Sequence, residues 1–148
     1  MKKYLVIGNP IEHSLSPLLH NFWIKKHGVD AIYEKKLLEK NDIEKTLNDM
    51  RESETEGINV TVPFKKYVIP FLDQLSDTAK KTQSVNTIFK RQNKLIGDNT
   101  DVYGFSEAIK LTNLNLKNKK ALVLGAGGVV PSIILALKNM GILEIVLS

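Results

Sequence analysis

The pattern of apolar and polar positions along the chain predicts an alternation of strands and helices. Tyr4-Leu5-Val6-Ile7 is a continuous apolar run between Lys2-Lys3 and Gly8-Asn9-Pro10, which predicts a buried strand over 3–8. Ser16-Pro17 then opens a helix, with Ser16 as candidate N-cap and proline at the first helical position. Leu19, Phe22 and Trp23 give that helix an apolar face, and Gly28 ends it. A second strand follows over 31–38. Asn41 starts a helix whose Ile43, Leu47 and Met50 share one face, with Glu44 approximating a capping box. Residues 57–62 read as a strand that stops at Pro63. Helical segments fill 64–81. Residues 85–90 and 95–98 form a hairpin about Gln92-Asn93. A helix covers 101–111, with Thr100 as N-cap.

The last part changes character. A strand over 119–124 runs into Gly125-Ala126-Gly127-Gly128. A helix over 129–140 ends at Gly141, and a strand covers 143–147. This is one βαβ unit. A single unit does not make the sheet such a domain needs, so the sequence is expected to be a truncated one. The pattern divides the chain into a first domain over 1–103, and a linker helix with a shortened second domain over 104–148.

Composition narrows the class. The chain has 148 residues, 43% of them apolar and 25% charged, which suits a globular protein with a real core. No stretch approaches the roughly 20 apolar residues of a membrane span. There is no cysteine, which excludes disulfide and thiolate chemistry, and a cytoplasmic enzyme is expected. The net charge of +5 comes almost wholly from lysines interleaved with Asp and Glu. Arginine, the usual bidentate reader of bases and phosphates, occurs only as Arg51 and Arg91. A solvated surface is expected, not a nucleic-acid or membrane partner. His13, His20 and His27 are seven apart, but His13 precedes the helix and no metal site is expected.

Several short segments carry candidate chemistry. Strand, Gly125-Ala126-Gly127-Gly128, helix is the context in which backbone N–H groups and a helix N-terminus bind a pyrophosphate. Val130 departs from the Gly or Ala of the full dinucleotide fingerprint, and a purely structural turn is the alternative. The residue that separates NAD from NADP falls about 20 positions on, at or past Ser148. Ser14 and Ser16 sit where a helix begins, and suit either a carboxylate site or plain capping. Asn59 and Thr61 share a strand face, and Lys65 follows just past the strand end, where α/β sheets bind ligands. Lys65 and Lys66 could equally be two solvent-facing lysines. Ser84-Val85-Asn86-Thr87 and Gly97-Asp98-Asn99-Thr100-Asp101 are each read first as turn and cap chemistry.

Taken together, the blocks Gly-Asn-Pro-Ile-Glu-His-Ser-Leu-Ser-Pro-Leu-Leu-His-Asn (8–21), Asn-Val-Thr-Val-Pro-Phe-Lys (59–65), Val-Asn-Thr-Ile (85–88), Gly-Asp-Asn-Thr-Asp-Val-Tyr-Gly (97–104) and Gly-Ala-Gly-Gly (125–128) resemble the shikimate dehydrogenase family. Members of that family are nearly twice this length. The resemblance implies an α/β fold: a three-layer αβα substrate domain with a mostly parallel sheet, then the first βαβ unit of a Rossmann-type NADP-binding domain. It implies the reversible NADPH-linked reduction of 3-dehydroshikimate to shikimate, on the route to chorismate and the aromatic amino acids. Ser14, Ser16 and Thr61 would hold the substrate carboxylate, with Asn59 in the same pocket. Lys65, Asn86 and Asp101 would bind the ring hydroxyls. Lys65 would be catalytic, as proton acceptor or as charged donor, paired with Asp101. Asp77 matches a position near the nicotinamide, and Gly125, Ala126, Gly127, Gly128 and Val129 would cradle the NADP pyrophosphate. Pro131 stands where many relatives carry arginine, which bears on phosphate affinity. Gln83-Ser84 also departs from the small residue usual before Val-Asn-Thr. The alternatives are a fragment that binds shikimate without turnover, a quinate/shikimate dehydrogenase, and a bare nucleotide-binding module. A homodimer is an admissible assembly.

Overall fold

A computed structural model describes residues 1–148. Six strands form the main sheet: β1 (Lys2–Gly8), β2 (Ala31–Leu37), β3 (Thr55–Val60), β4 (Gln74–Leu75), β5 (Thr87–Arg91) and β6 (Lys94–Asp98). Their order is β2-β1-β3-β5-β6-β4. β1 lies parallel to both β2 and β3, and β4 parallel to β6, while β5 runs antiparallel to its neighbours β3 and β6. The expected mostly parallel α/β sheet is therefore present, with the β5–β6 hairpin as its antiparallel part. No helix is long and apolar enough to cross a membrane.

The pleat of β1 sends alternate side chains to opposite faces. Leu5 and Ile7 join Ile58 and Val60 of β3 against Ile43, Leu47 and Met50 of helix α2 (Ile43–Glu52), in the larger core. Val6 points the other way, to Ile11, Tyr33 and the partly buried Ile24 of helix α1 (Ser16–Lys26). Each fully buried aliphatic side chain contributes about 1.5–3 kcal/mol, so these two clusters fix the register of the central strands. Helix α3 (Asp77–Thr82) and helix α4 (Asp101–Leu111) follow, and α4 packs on helix α5 (Val130–Asn139). β7 (Lys120–Val123) and β8 (Glu144–Leu147) pair in parallel as a separate two-stranded sheet. With α5 between them they form the expected βαβ unit.

Local expectations differ in instructive places. Ser16 is the first residue of α1 and Leu15 its N-cap, so Ser16 is not the cap. The Ser14 hydroxyl oxygen accepts from the Ser16 N–H at 3.3 Å instead. The apolar face of α1 is exposed at Leu19, Phe22 and Trp23. The helix docks through Asn21, whose amide exchanges two hydrogen bonds with the Tyr33 backbone at 2.8 and 2.9 Å. That contact and Ile24 turn the opposite side of the helix to the sheet. Before α2, the capping box joins Glu39 and Asp42, not Asn41 and Glu44. β3 stops at Val60: the Thr61 N–H makes the last ladder bond, to the Ile7 carbonyl, and Pro63 follows with no N–H to continue it. Residues 64–81 are not mainly helical. They hold turns, a 3-10 turn at Ile69–Phe71, the short β4, and then α3 capped by Ser76. At α4, Thr100 is the N-cap by position, but its side chain caps nothing. The Asn99 side-chain Oδ1 accepts from the Asp101 and Val102 N–H groups instead.

Candidate active site

The strand ends of the main sheet bring distant residues together. Thr61 leaves β3 with its N–H on Ile7 and its carbonyl accepting from Phe64. Phe64 and Val68 are buried at 2% and 0% exposure, and anchor this turn in the core. Lys65, between them, is held by its carbonyl, which accepts from Val85 at 2.8 Å. Its side chain is sent across to α4. There Lys65 Nζ donates to Asp101 Oδ2 at 2.7 Å, and the two side chains are only 13% and 22% exposed. Shielding such a pair from water costs desolvation energy, and removing one partner leaves the other charge unpaired, which is strongly destabilising.

Asn86 completes this corner. Its Nδ2 donates to Asp101 Oδ1 and to Thr100 Oγ1, both at 2.9 Å. Its Oδ1 accepts from the Thr100 N–H at 2.9 Å. Lys65, Asn86 and Asp101 thus form one cluster of donors and acceptors at the N-terminus of α4. One Lys65 N–H is spent on Asp101; the ammonium has two more to offer a ligand.

Ser14, Ser16 and Thr61 line a second, adjoining cavity together with Val6, Pro10, Ile11 and His13. Three hydroxyls beside the N-terminal end of α1 equip it for a carboxylate. Between the two corners stands Tyr33, 4% exposed, whose hydroxyl donates to Asn59 Oδ1 at 2.6 Å. Burial pushes the Tyr33 phenol up to about 12, with a Ser16 hydrogen bond opposing the rise. His20 stacks on the Tyr33 ring at 4.2 Å, and its own imidazole is held below the usual range by burial. The Asn59 Nδ2 donates inward, to the Asn86 carbonyl at 3.4 Å and Thr87 Oγ1 at 3.2 Å. Asn59 has no N–H left for a ligand.

The glycine turn lies against this site. A side chain at Gly128 would meet Lys65 Cδ at 3.9 Å, and Ser84 Oγ donates to the Gly128 carbonyl at 3.3 Å. Gly125 has φ +103°, and neither it nor Gly127 has an atom within 4 Å of where a Cβ would be. The N–H groups of Ala126, Gly127, Gly128 and Val129 donate to no acceptor in the chain. Four free N–H groups, open space and the N-terminus of α5 fit a pyrophosphate. Asp77 stands apart: it is the exposed first residue of α3, with no hydrogen bond or ion pair to the Lys65–Asp101 cluster.

A buried polar knot joins the end of β6 to α5. Asn99, 3% exposed, donates from Nδ2 to Ser132 Oγ on α5 at 2.8 Å, to the Ser84 carbonyl at 2.9 Å and to Thr82 Oγ1 at 3.2 Å. Ser132 and Ser84 are both fully buried. Sequence reasoning assigned no role to Tyr33, Thr87 or Ser132. Thr87 and Asn99 lay inside quoted motifs; Tyr33 and Ser132 carried no local signal.

Fold and site together define an α/β domain with a polar ligand site at its strand ends, leading into a βαβ unit with a glycine turn. Comparison with known proteins is consistent with that class. Residues 6–88 match the family model described as the shikimate dehydrogenase substrate binding domain, and the chain belongs to this family. It is 60% identical over 147 residues to the shikimate dehydrogenase (NADP(+)) of Pelagibacter ubique, covering 99% of this chain and 56% of that one. The crystal structure of shikimate dehydrogenase from Aquifex aeolicus superposes with a TM-score of 0.94 at 39% identity, over 99% of this chain and 55% of that one. The Thermus thermophilus enzyme, solved in complex with NADP(H) and shikimate, gives 0.89 at 33% identity, over 98% and 55%. The chain spans about half the length of the relatives it matches.

Proposed function

We propose that this chain supplies the substrate-binding domain and the pyrophosphate turn of an NADP-linked shikimate dehydrogenase, with the division near residue 103. The carrying observation is the shielded Lys65–Asp101 pair, 2.7 Å long, beside a cavity lined by Ser14, Ser16 and Thr61. In this reading the substrate carboxylate binds the Ser14, Ser16 and Thr61 hydroxyls. The ring hydroxyls meet Lys65, Asn86 and Asp101. Asn59 acts by holding its neighbours, since its amide donors are already used. Gly125 to Val129 hold the cofactor pyrophosphate through their free N–H groups. The nicotinamide, when bound, supplies or accepts the hydride at substrate C3.

Lys65 handles the proton on the C3 oxygen. In reduction its ammonium gives a proton to the carbonyl oxygen as the C–O double bond becomes a hydroxyl; in oxidation the proton returns. Asp101 holds Nζ in place throughout, and Asn86 fixes Asp101 from the other oxygen. Proton transfer of this kind contributes typically 10²–10⁴-fold. Lys65→Ala in the complete enzyme is therefore expected to lower kcat by about that factor with a modest change in KM. An unchanged kcat would reject the role. The cofactor side is tested separately by titrating NADP into this chain, which should protect the amides of residues 126–129 from hydrogen exchange.

A further inference from the structure

The direction of each hydrogen bond between Tyr33 and Asp101 is fixed by groups that have no choice. The Thr100 backbone N–H can only donate, so the Asn86 atom 2.9 Å away is its carbonyl oxygen. Asn86 Nδ2 therefore faces Asp101, which as a carboxylate can only accept. The Thr87 hydroxyl then gives its proton to Asn86 Oδ1 at 3.1 Å. With that proton committed, Thr87 Oγ1 must accept from Asn59 Nδ2 at 3.2 Å. Asn59 Oδ1 is left to accept from Tyr33. One directed relay runs Tyr33, Asn59, Thr87, Asn86, Asp101, with Lys65 closing it from the far side.

The donors that hold the Asn86 oxygen come from two residues of different footing: Thr100, through its N–H and its hydroxyl, and Thr87. Thr100 is exposed, at the head of the helix that leads into the second unit. Thr87 sits on β5, hydrogen-bonded between β3 and β6 inside the sheet. Its hydroxyl is the only side-chain link between the Asn59–Tyr33 pair and the Asn86 amide.

We propose that Thr87 is a positioning residue of the ring-hydroxyl corner: its hydroxyl locks the Asn86 amide to the rigid sheet, with Nδ2 held on Asp101. Thr87 itself touches neither substrate nor cofactor. The consequence for a ligand rests on the functional reading above; the consequence for Asn86 does not.

Two measurements on the 148-residue chain separate them. Thr87→Val keeps the shape and removes the hydroxyl; Thr87→Ser restores it. By calorimetry, Thr87→Val is expected to weaken shikimate binding about tenfold, the worth of one or two hydrogen bonds, and Thr87→Ser to bind within about twofold of the parent. By NMR without ligand, the Asn86 side-chain amide should lose order in Thr87→Val and regain it in Thr87→Ser. Parent-like shikimate affinity in Thr87→Val, or an Asn86 amide as rigid as in the parent, overturns the proposal. A parent chain that binds no shikimate, with Asn86 loosened by Thr87→Val, overturns the functional reading and leaves the positioning role standing. Thr87→Ala takes the place of the valine variant if that one does not fold.

Discussion

Asn99 ties the end of the main sheet to α5, and its removal has a calculable cost. Its Nδ2 donates to Ser132, Ser84 and Thr82, and its Oδ1 accepts from Asp101 and Val102. Alanine deletes the N-terminal cap of α4, worth about 1 kcal/mol. It also strands the Ser132 hydroxyl in a position with no access to water, and leaves the Ser84 carbonyl with only the longer 3.3 Å bond from the Thr82 hydroxyl. Each buried polar group left without a partner costs roughly 1–3 kcal/mol. A total near 3–4 kcal/mol follows, allowing for partial relaxation. In urea, with a slope of about 1–3 kcal/mol per molar, Asn99→Ala should lower the unfolding midpoint by roughly 2 M. Ser132→Ala removes only one partner of the knot and should cost about 1 kcal/mol. The double variant should be less destabilised than the sum of the two, because they share a bond. A cost below about 1 kcal/mol for Asn99→Ala, or strict additivity, would refute the view that this knot ties the sheet end to α5.

Other outcomes follow from single contacts. At Gly8 a Cβ would come within 2.6 Å of Thr61 Cγ2 and 3.1 Å of the Val62 carbonyl; Gly8→Ala should displace Thr61, and calorimetry should show about tenfold weaker shikimate binding, roughly the worth of one hydrogen bond. At Gly97 a Cβ would meet Leu72 Cδ1 at 2.5 Å; Gly97→Ala should cost about 1–3 kcal/mol by overpacking, read as a urea midpoint shift with no effect on the carboxylate cavity. The Arg51 guanidinium, then the Leu95 N–H, hold the Asp73 carboxyl below its usual range. A depressed carboxylate stabilises the fold above its unfolded pKa of about 3.9, and that contribution is lost as pH falls through the folded value. Acid unfolding of Asp73→Asn should thus be less steep below about pH 4 than that of the parent, and an identical acid limb would contradict the assignment.

Much of this molecule was legible in the order of its residues. The apolar run in β1, the Ile43-Leu47-Met50 stripe and the hairpin at Gln92-Asn93, both with positive φ, followed from local pattern alone. The region 64–81 did not, because its apolar residues serve a turn pinned by Phe64 and Val68 in the core and not a helical face. The α1 face misled in a different way: Asn21 bonding to β2 outweighs the pull of Phe22 and Trp23, which stay 59% and 46% exposed. At the site, Lys65, Asn86 and Asp101 could be chosen by type and motif. Their mutual geometry, and the parts played by Tyr33, Thr87 and Ser132, depend on partners 15 to 36 positions apart, and no local signal reports these.

The most direct test of the account is a crystal structure of this chain with shikimate. The acid should lie across both corners, with its carboxylate on Ser14, Ser16 and Thr61 and a ring hydroxyl between Lys65 and Asp101. Shikimate bound elsewhere, or an empty Lys65–Asp101 corner at saturating ligand, would contradict it.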